Sequence, residues 1–224
     1  MIFNVIGSRR VGERAVPVPE GPEKISIDRV NNLSKEEFVE RFGTLFQDGR
    51  WVAEETYGRR PFGSAYELRR AFQDTLFDAP PERQMELIRR YPHLGSSAKT
   101  DETAADIGIS PDQYEALTTA AVEGVMSPES IRDQSAAGLD RLSPEEYEAF
   151  QRMNESYREK FGFPLIMAVR GQSKEVILSS GETRMEYSPA QERATALVEV
   201  AKIANLRLQD LVEEPLEEAV AARS

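Results

Sequence analysis

Ser188-Pro189-Ala190-Gln191, followed by Leu197, Val200, Ile203, Ala204 and Leu206 at helical spacing, is the stretch that decides the fold class. A serine hydroxyl ahead of the first turn can accept from a backbone N–H that has no partner inside the helix. An amide or acid three residues later can return the favour to the serine's own N–H. Proline fits at the first helical position, because the N–H it lacks would go unused there. The apolar residues behind this cap fall on one side of a 3.6-residue repeat, so the segment reads as a long helix buried along a stripe.

The same device recurs outward from there. Ser34 with Glu37, Ser64 with Glu67, Ser110 with Gln113 and Ser143 with Glu146 have the same spacing, and Pro111, Pro128 and Pro144 stand at first helical positions. Apolar residues follow at helical intervals: Phe38, Phe42, Leu45 and Phe46 in one segment, Leu68, Ala71, Phe72 and Leu76 in another. Strand-like alternation is almost absent. One continuous apolar run, residues 163 to 169, follows Gly162 and has no readable period, and its composition predicts burial. The expectation is an all-α, single-domain helical bundle of about eight helices. Residues 1–25, with Pro17, Pro19, Gly21 and Pro22, read as an extended leader, 26–214 as the domain and 215–224 as a tail.

Composition narrows the function classes. The 224 residues hold no cysteine and one histidine, which removes disulfides, thiolate metal sites and cysteine nucleophiles, and leaves no histidine-rich metal site. With 39 acidic against 28 basic residues the formal charge is -11, so neither nucleic acid nor an anionic membrane is an expected partner. The first residues, Met1-Ile2-Phe3-Asn4-Val5-Ile6, are too short an apolar run for a signal peptide, and no stretch approaches the roughly 18 apolar residues of a membrane span. A cytoplasmic protein is expected.

Five segments in order carry a resemblance. They are Trp51-Val52-Ala53-Glu54 with Arg60-Pro61-Phe62; Arg90-Tyr91-Pro92-His93-Leu94-Gly95; Ser130-Ile131-Arg132-Asp133-Gln134 with Ala137-Gly138-Leu139; residues 154 to 164, ending Phe161-Gly162-Phe163-Pro164; and Lys202-Ile203-Ala204-Asn205-Leu206-Arg207-Leu208. Over about residues 26 to 214 the chain resembles the 2-oxo-4-hydroxy-4-carboxy-5-ureidoimidazoline (OHCU) decarboxylases of urate breakdown. The resemblance implies an all-α homodimer without metal or organic cofactor that converts OHCU to (S)-allantoin and carbon dioxide. It assigns Ser130, Asp133, Gln134 and Arg207 to a small anionic ureido-imidazoline substrate, together with Pro92 and the backbone of Gly162, Phe163, Pro164, Leu165 and Ile166. Ser130, Asp133 and Gln134, three and four residues apart, share a helix face.

Two departures fall on the titratable positions. The histidine of the family pattern H-P-x-L-G is Tyr91 here, and His93 lies two residues on. The family's glutamate is Asp133, one carbon shorter. A phenol, ordinarily near pKa 10, exchanges its proton near neutrality less readily than imidazole near 6.5. Three readings follow: decarboxylation of OHCU with Asp133 and Tyr91 or His93 handling the proton, the same chemistry on a differently substituted ureido-imidazoline, or a non-catalytic binding module. Alternatives also stand for single residues. Asp133 is equally a solvated helix carboxylate beside Arg132, and Arg207 a surface partner of Asp210 or Glu213. The family's short link between Gly95 and Ser130 is lengthened, with a helix expected near 111–125 as a lid or a surface elaboration.

Overall fold

The computed structural model describes residues 23–96 and 126–214. Nine α-helices lie among them: α1 (Ile27–Asn31), α2 (Lys35–Phe42), α3 (Arg50–Thr56), α4 (Ala65–Asp78), α5 (Pro81–Arg89), α6 (Pro128–Ala136), α7 (Pro144–Phe161), α8 (Lys174–Arg184) and α9 (Pro189–Gln209), with a 3₁₀ turn at Tyr57–Arg59. No strand occurs among the described residues; a single parallel bridge joins Ile25 to Val212. Ile25, the last residue of the expected leader, thus pairs with the end of the domain. Residues 1–22 of the leader, the Ser110 cap, the helix expected near 111–125 and the tail lie outside the described residues.

Ser34, Ser143 and Ser188 close reciprocal capping boxes with Glu37, Glu146 and Gln191. At Ser64 the box is displaced by one residue: the hydroxyl accepts from Glu67 N, while the Glu67 carboxylate takes the Gly63 N–H at 2.7 Å. Ser26, Ser127 and Ser173 also cap helices, but the third residue after each is Arg29, Ser130 or Val176, so no box announces them. The helices after Gly49 and Pro80 have no side-chain cap at all.

The core sits between α2, α3 and α4 on one side and α7 and α9 on the other. Phe38 gathers Phe42, Tyr57, Phe62 and Phe72 around it, with Phe42 at 4.7 Å between ring centroids. Burial of several large aromatics in one cluster is the main driving force for docking these helices. The 21-residue α9 packs against α4, α5 and α7, and so buries residues on more than one side, including Ala196, Leu197, Val200, Ile203 and Leu208.

Residues 163 to 169 are not helical, and all but the half-buried Met167 and Ala168 are buried. Gly162 ends α7 in the left-handed conformation at φ 74°, which suits glycine, and an extended passage follows. Such a passage needs partners for its backbone, and side chains supply them: Arg184 Nη1 donates to Ile166 O at 2.7 Å, and Ala168 N donates to Glu199 at 2.9 Å. The second half of the apolar run is thus pinned at Ile166 by α8 and at Ala168 by α9.

Candidate active site

α6 presents Ser130, Asp133 and Gln134 on one buried face, as their spacing predicts. Ser127, its N-cap, donates from its hydroxyl to Ser130 Oγ at 3.1 Å, and Ser130 passes its own hydrogen to Gln47 Oε1 at 3.1 Å. Against this face come Arg207 from α9 and Arg170 from the end of the extended passage. The Asp133 carboxylate accepts from both: Oδ2 from Arg207 Nε at 2.9 Å, Oδ1 from Arg170 Nη2 at 2.9 Å and Nε at 3.2 Å. Asp133 is therefore no solvated helix carboxylate paired with Arg132.

Arg207 is equally no surface residue. Its Nη1 donates to Thr44 O and Leu45 O at 3.3 and 3.2 Å, and its Nη2 to Ser130 Oγ at 3.1 Å. Four of its five N–H groups are thereby committed to protein. Asp210, a surface partner considered for it, pairs instead with Arg170 Nη1 at 2.9 Å.

These groups border one cleft. Tyr91, Pro92, Ser130, Asp133, Gln134, Arg170 and Arg207 form its polar side. Leu165, Ile166, Val169, Ile203 and Leu206 form an apolar wall opposite. A flat heterocycle can lie on the wall with its polar edge toward α6. The Phe161-Gly162-Phe163-Pro164 portion is not part of the lining: Gly162 is the stop of α7, and the Phe163 ring packs on Tyr157 and Phe161. Residues 165 to 170 line the cleft instead, because the first residues after the glycine are spent in the core.

Gln134 has a second task. Its Oε1 accepts from Gly95 N at 3.0 Å and its Nε2 reaches His93 O at 3.5 Å, while Asn154 Nδ2 donates to Leu94 O at 2.9 Å. The turn that carries Tyr91 and Pro92 is thus fastened to α6 and α7. Gly95, at φ 74°, permits the fastening: any Cβ there would meet Leu142 at 3.0 Å.

Tyr91 lies inside the cleft, buried, and its hydroxyl has no hydrogen bond of good geometry although the Gln47 backbone is near. Burial pushes the phenol up to about 12, Arg207 opposing and Asp133 reinforcing the shift. At neutral pH it is an O–H donor and not a base. His93 does not line the cleft. Its ring sits by Arg158 and Asn154, and burial followed by the Arg158 charge pushes its pKa below the usual imidazole value. Of the two residues expected to handle the proton, Tyr91 borders the cleft and His93 stands outside its lining.

Arg170 and Gln47 escaped the sequence reading. Arg170 left a signal, a lone cation closing an otherwise apolar run at residues 163 to 169; Gln47 left none. Among the described residues no group of three or more His, Cys, Asp or Glu side chains could hold a metal ion, and no helix is long and apolar enough to cross a membrane.

Comparison with known proteins meets this geometry. The family model described as OHCU decarboxylase matches residues 31–209. The 2-oxo-4-hydroxy-4-carboxy-5-ureidoimidazoline decarboxylase of Halalkalicoccus jeotgali is 37% identical over 188 residues, covering 84% of this chain and 92% of its own. That of Haloferax volcanii is 37% identical over 187 residues, covering 84% and 96%. A crystal structure of OHCU decarboxylase in the presence of (S)-allantoin shares the fold at a TM-score of 0.54 and 19% identity, over 79% of this chain and 96% of that one. A matched family model spanning most of the domain, and relatives this similar over almost their whole length, leave one conclusion: the chain belongs to the OHCU decarboxylase family.

Proposed function

We propose that the protein decarboxylates OHCU to (S)-allantoin in urate breakdown, using its own side chains and no metal or organic cofactor. The observation that carries this reading is the convergence of Tyr91, the Ser130, Asp133 and Gln134 face, Arg207 and the backbone of residues 165 to 170 on one cleft. When the carbon–carbon bond to the carboxylate breaks, carbon dioxide leaves and the electron pair passes into the conjugated ring. A proton must then reach ring carbon from one side. Donors aimed at the developing charge lower the barrier, and a donor on a single wall sets the hand of the product.

Tyr91 supplies that donor. Its phenol keeps its proton at neutral pH and sits in a buried position where its O–H has nothing else to satisfy. Asp133 aligns Arg170 and Arg207, and the apolar wall of Leu165, Ile166 and Leu206 excludes water from the ring face. His93 has no part in this scheme. The unit that does the work is the domain of residues 26–214, acting as a cytoplasmic homodimer; the net charge of -11 accords with a protein that keeps clear of nucleic acid and anionic membranes.

Circular dichroism tests the reading directly. OHCU generated in place from urate decays to racemic allantoin by itself, so the protein should produce an excess of (S)-allantoin over that background. No excess at high protein concentration would refute the assignment.

A further inference from the structure

Arg207 is the cation that the family resemblance offers to a carboxylate or ureido oxygen of the substrate, yet its surroundings leave it little to give. It is 5% exposed, and its partners are two backbone carbonyls, the Ser130 hydroxyl and Asp133. All of these contacts but the one to Thr44 O are buried, so giving them up costs more than giving up a partner that water can replace. One Nη2 hydrogen is left over, which cannot make a two-pronged contact by itself.

Arg170 is placed differently. Its Nε and Nη2 hold Asp133 Oδ1, and its Nη1 reaches Leu206 O at 3.2 Å and Asp210 at 2.9 Å. Its side chain is 29% exposed and that of Asp210 is 41% exposed. The guanidinium, like that of Arg207, stands between the cleft and a second cavity that Asp210, Arg132 and Glu129 line. Asp210 can therefore swing back into water with its charge solvated, and Nη1 together with the spare Nη2 hydrogen then forms the fork that suits a carboxylate.

We infer that Arg170 takes the substrate's carboxylate and that Asp210 is the side chain it releases to do so. The inference rests on the function proposed above and names the receptor for its anionic group. Arg207 becomes the brace that holds Asp133 and the α6 face, and Arg170 the binding residue. A consequence separates the two in kinetics. The carboxylate loses its charge as carbon dioxide forms, so a cation gripping it binds substrate at least as well as transition state. Such a contact appears in KM and hardly in kcat.

Two stable ligands give the test. Hydantoin-5-acetate carries a ring and a carboxylate; allantoin carries a ring and a ureido group with no carboxylate. Calorimetric titration of Arg170→Gln should show hydantoin-5-acetate weakened about ten- to hundredfold, the worth of a charge-assisted contact, with allantoin affinity nearly unchanged. Turnover should show a raised KM with kcat within about threefold. Asp210→Asn removes the competing anion and should strengthen hydantoin-5-acetate binding by up to about fivefold, the worth of an exposed ion pair. Equal weakening of both ligands by Arg170→Gln, unchanged affinity for the carboxylate ligand, a wild-type protein that binds only allantoin, or weaker binding by Asp210→Asn would each overturn the inference. A wild-type protein that binds the ligands but gives no excess of (S)-allantoin would instead defeat the decarboxylase reading.

Discussion

Two buried arginine–carboxylate clusters lie on either side of the extended passage, and they are built to opposite ends. On one side Arg184 of α8 is paired with Glu192 of α9 through both Nε and Nη2, and its remaining nitrogen holds Ile166 O. Glu192 is fully buried, and neither residue lines the cleft. On the other side Asp133 is shared between Arg170 and Arg207 and opens on the cleft. The first cluster is closed on itself and can only position Ile166 from behind. The second has one brace with four of its five N–H groups spent on protein and one arm whose outer partner is half in water. Identical chemical groups become scaffold or receptor according to how many of their contacts solvent can replace.

The strongest way to break this comparison is to remove one carboxylate from each cluster. Glu192→Ala leaves the Arg184 charge buried without its partner and should cost about 3–5 kcal/mol of unfolding free energy in urea. Asp133→Asn keeps a hydrogen-bonding group in place beside a cleft that admits water, and should cost less than half as much. Equal losses would mean that both clusters are scaffold.

A smaller effect sharpens the role of the phenol. Tyr91→Phe should lower kcat about a hundredfold, within the usual contribution of a positioned acid, while leaving neutral-pH stability within about 1 kcal/mol, since the hydroxyl it removes has no good hydrogen bond. The pH dependence has a definite sign. The folded state holds the Tyr91 proton up to about 12 against an ordinary 10. Wild-type stability is thus unaffected by this group below pH 10 and falls between pH 10 and 12, by an amount of order 2 kcal/mol that Tyr91→Phe should not show. Parallel alkaline unfolding curves would contradict the buried position of the ring.

The smallest effect belongs to the single histidine. His93→Asn should change kcat/KM less than about twofold, because its ring lies away from the cleft lining. A loss of a hundredfold or more would return His93 to the chemistry and undo the division of labour between residues 91 and 93.

Helix starts were legible wherever a side chain advertises them locally. Ser34, Ser143 and Ser188 carry both halves of a capping box within four residues, whereas Ser26 and Ser173 carry one half and pass unnoticed in the sequence. The α6 face was legible for the same reason, three side chains within five residues on one helical repeat. The contact segment was legible only to within a few residues. A glycine after α7 says that the helix stops, but how many residues are absorbed by the core before the chain reaches the cleft depends on the Tyr157, Phe161 and Phe163 rings packing together.

What the chain determined alone is an α-helical protein with a polar triplet on one helix and a cation near the end of another, since caps and 3.6-residue periodicity act within a turn or two. What only the tertiary structure decided is the use of each charge: Asp133 meets Arg170 from 37 positions away and Arg207 from 74, and His93 stands outside the lining of the cleft that Tyr91 borders. Local rules carry no information over such separations. Burial and the count of contacts that water can replace exist only once the chain has closed on itself.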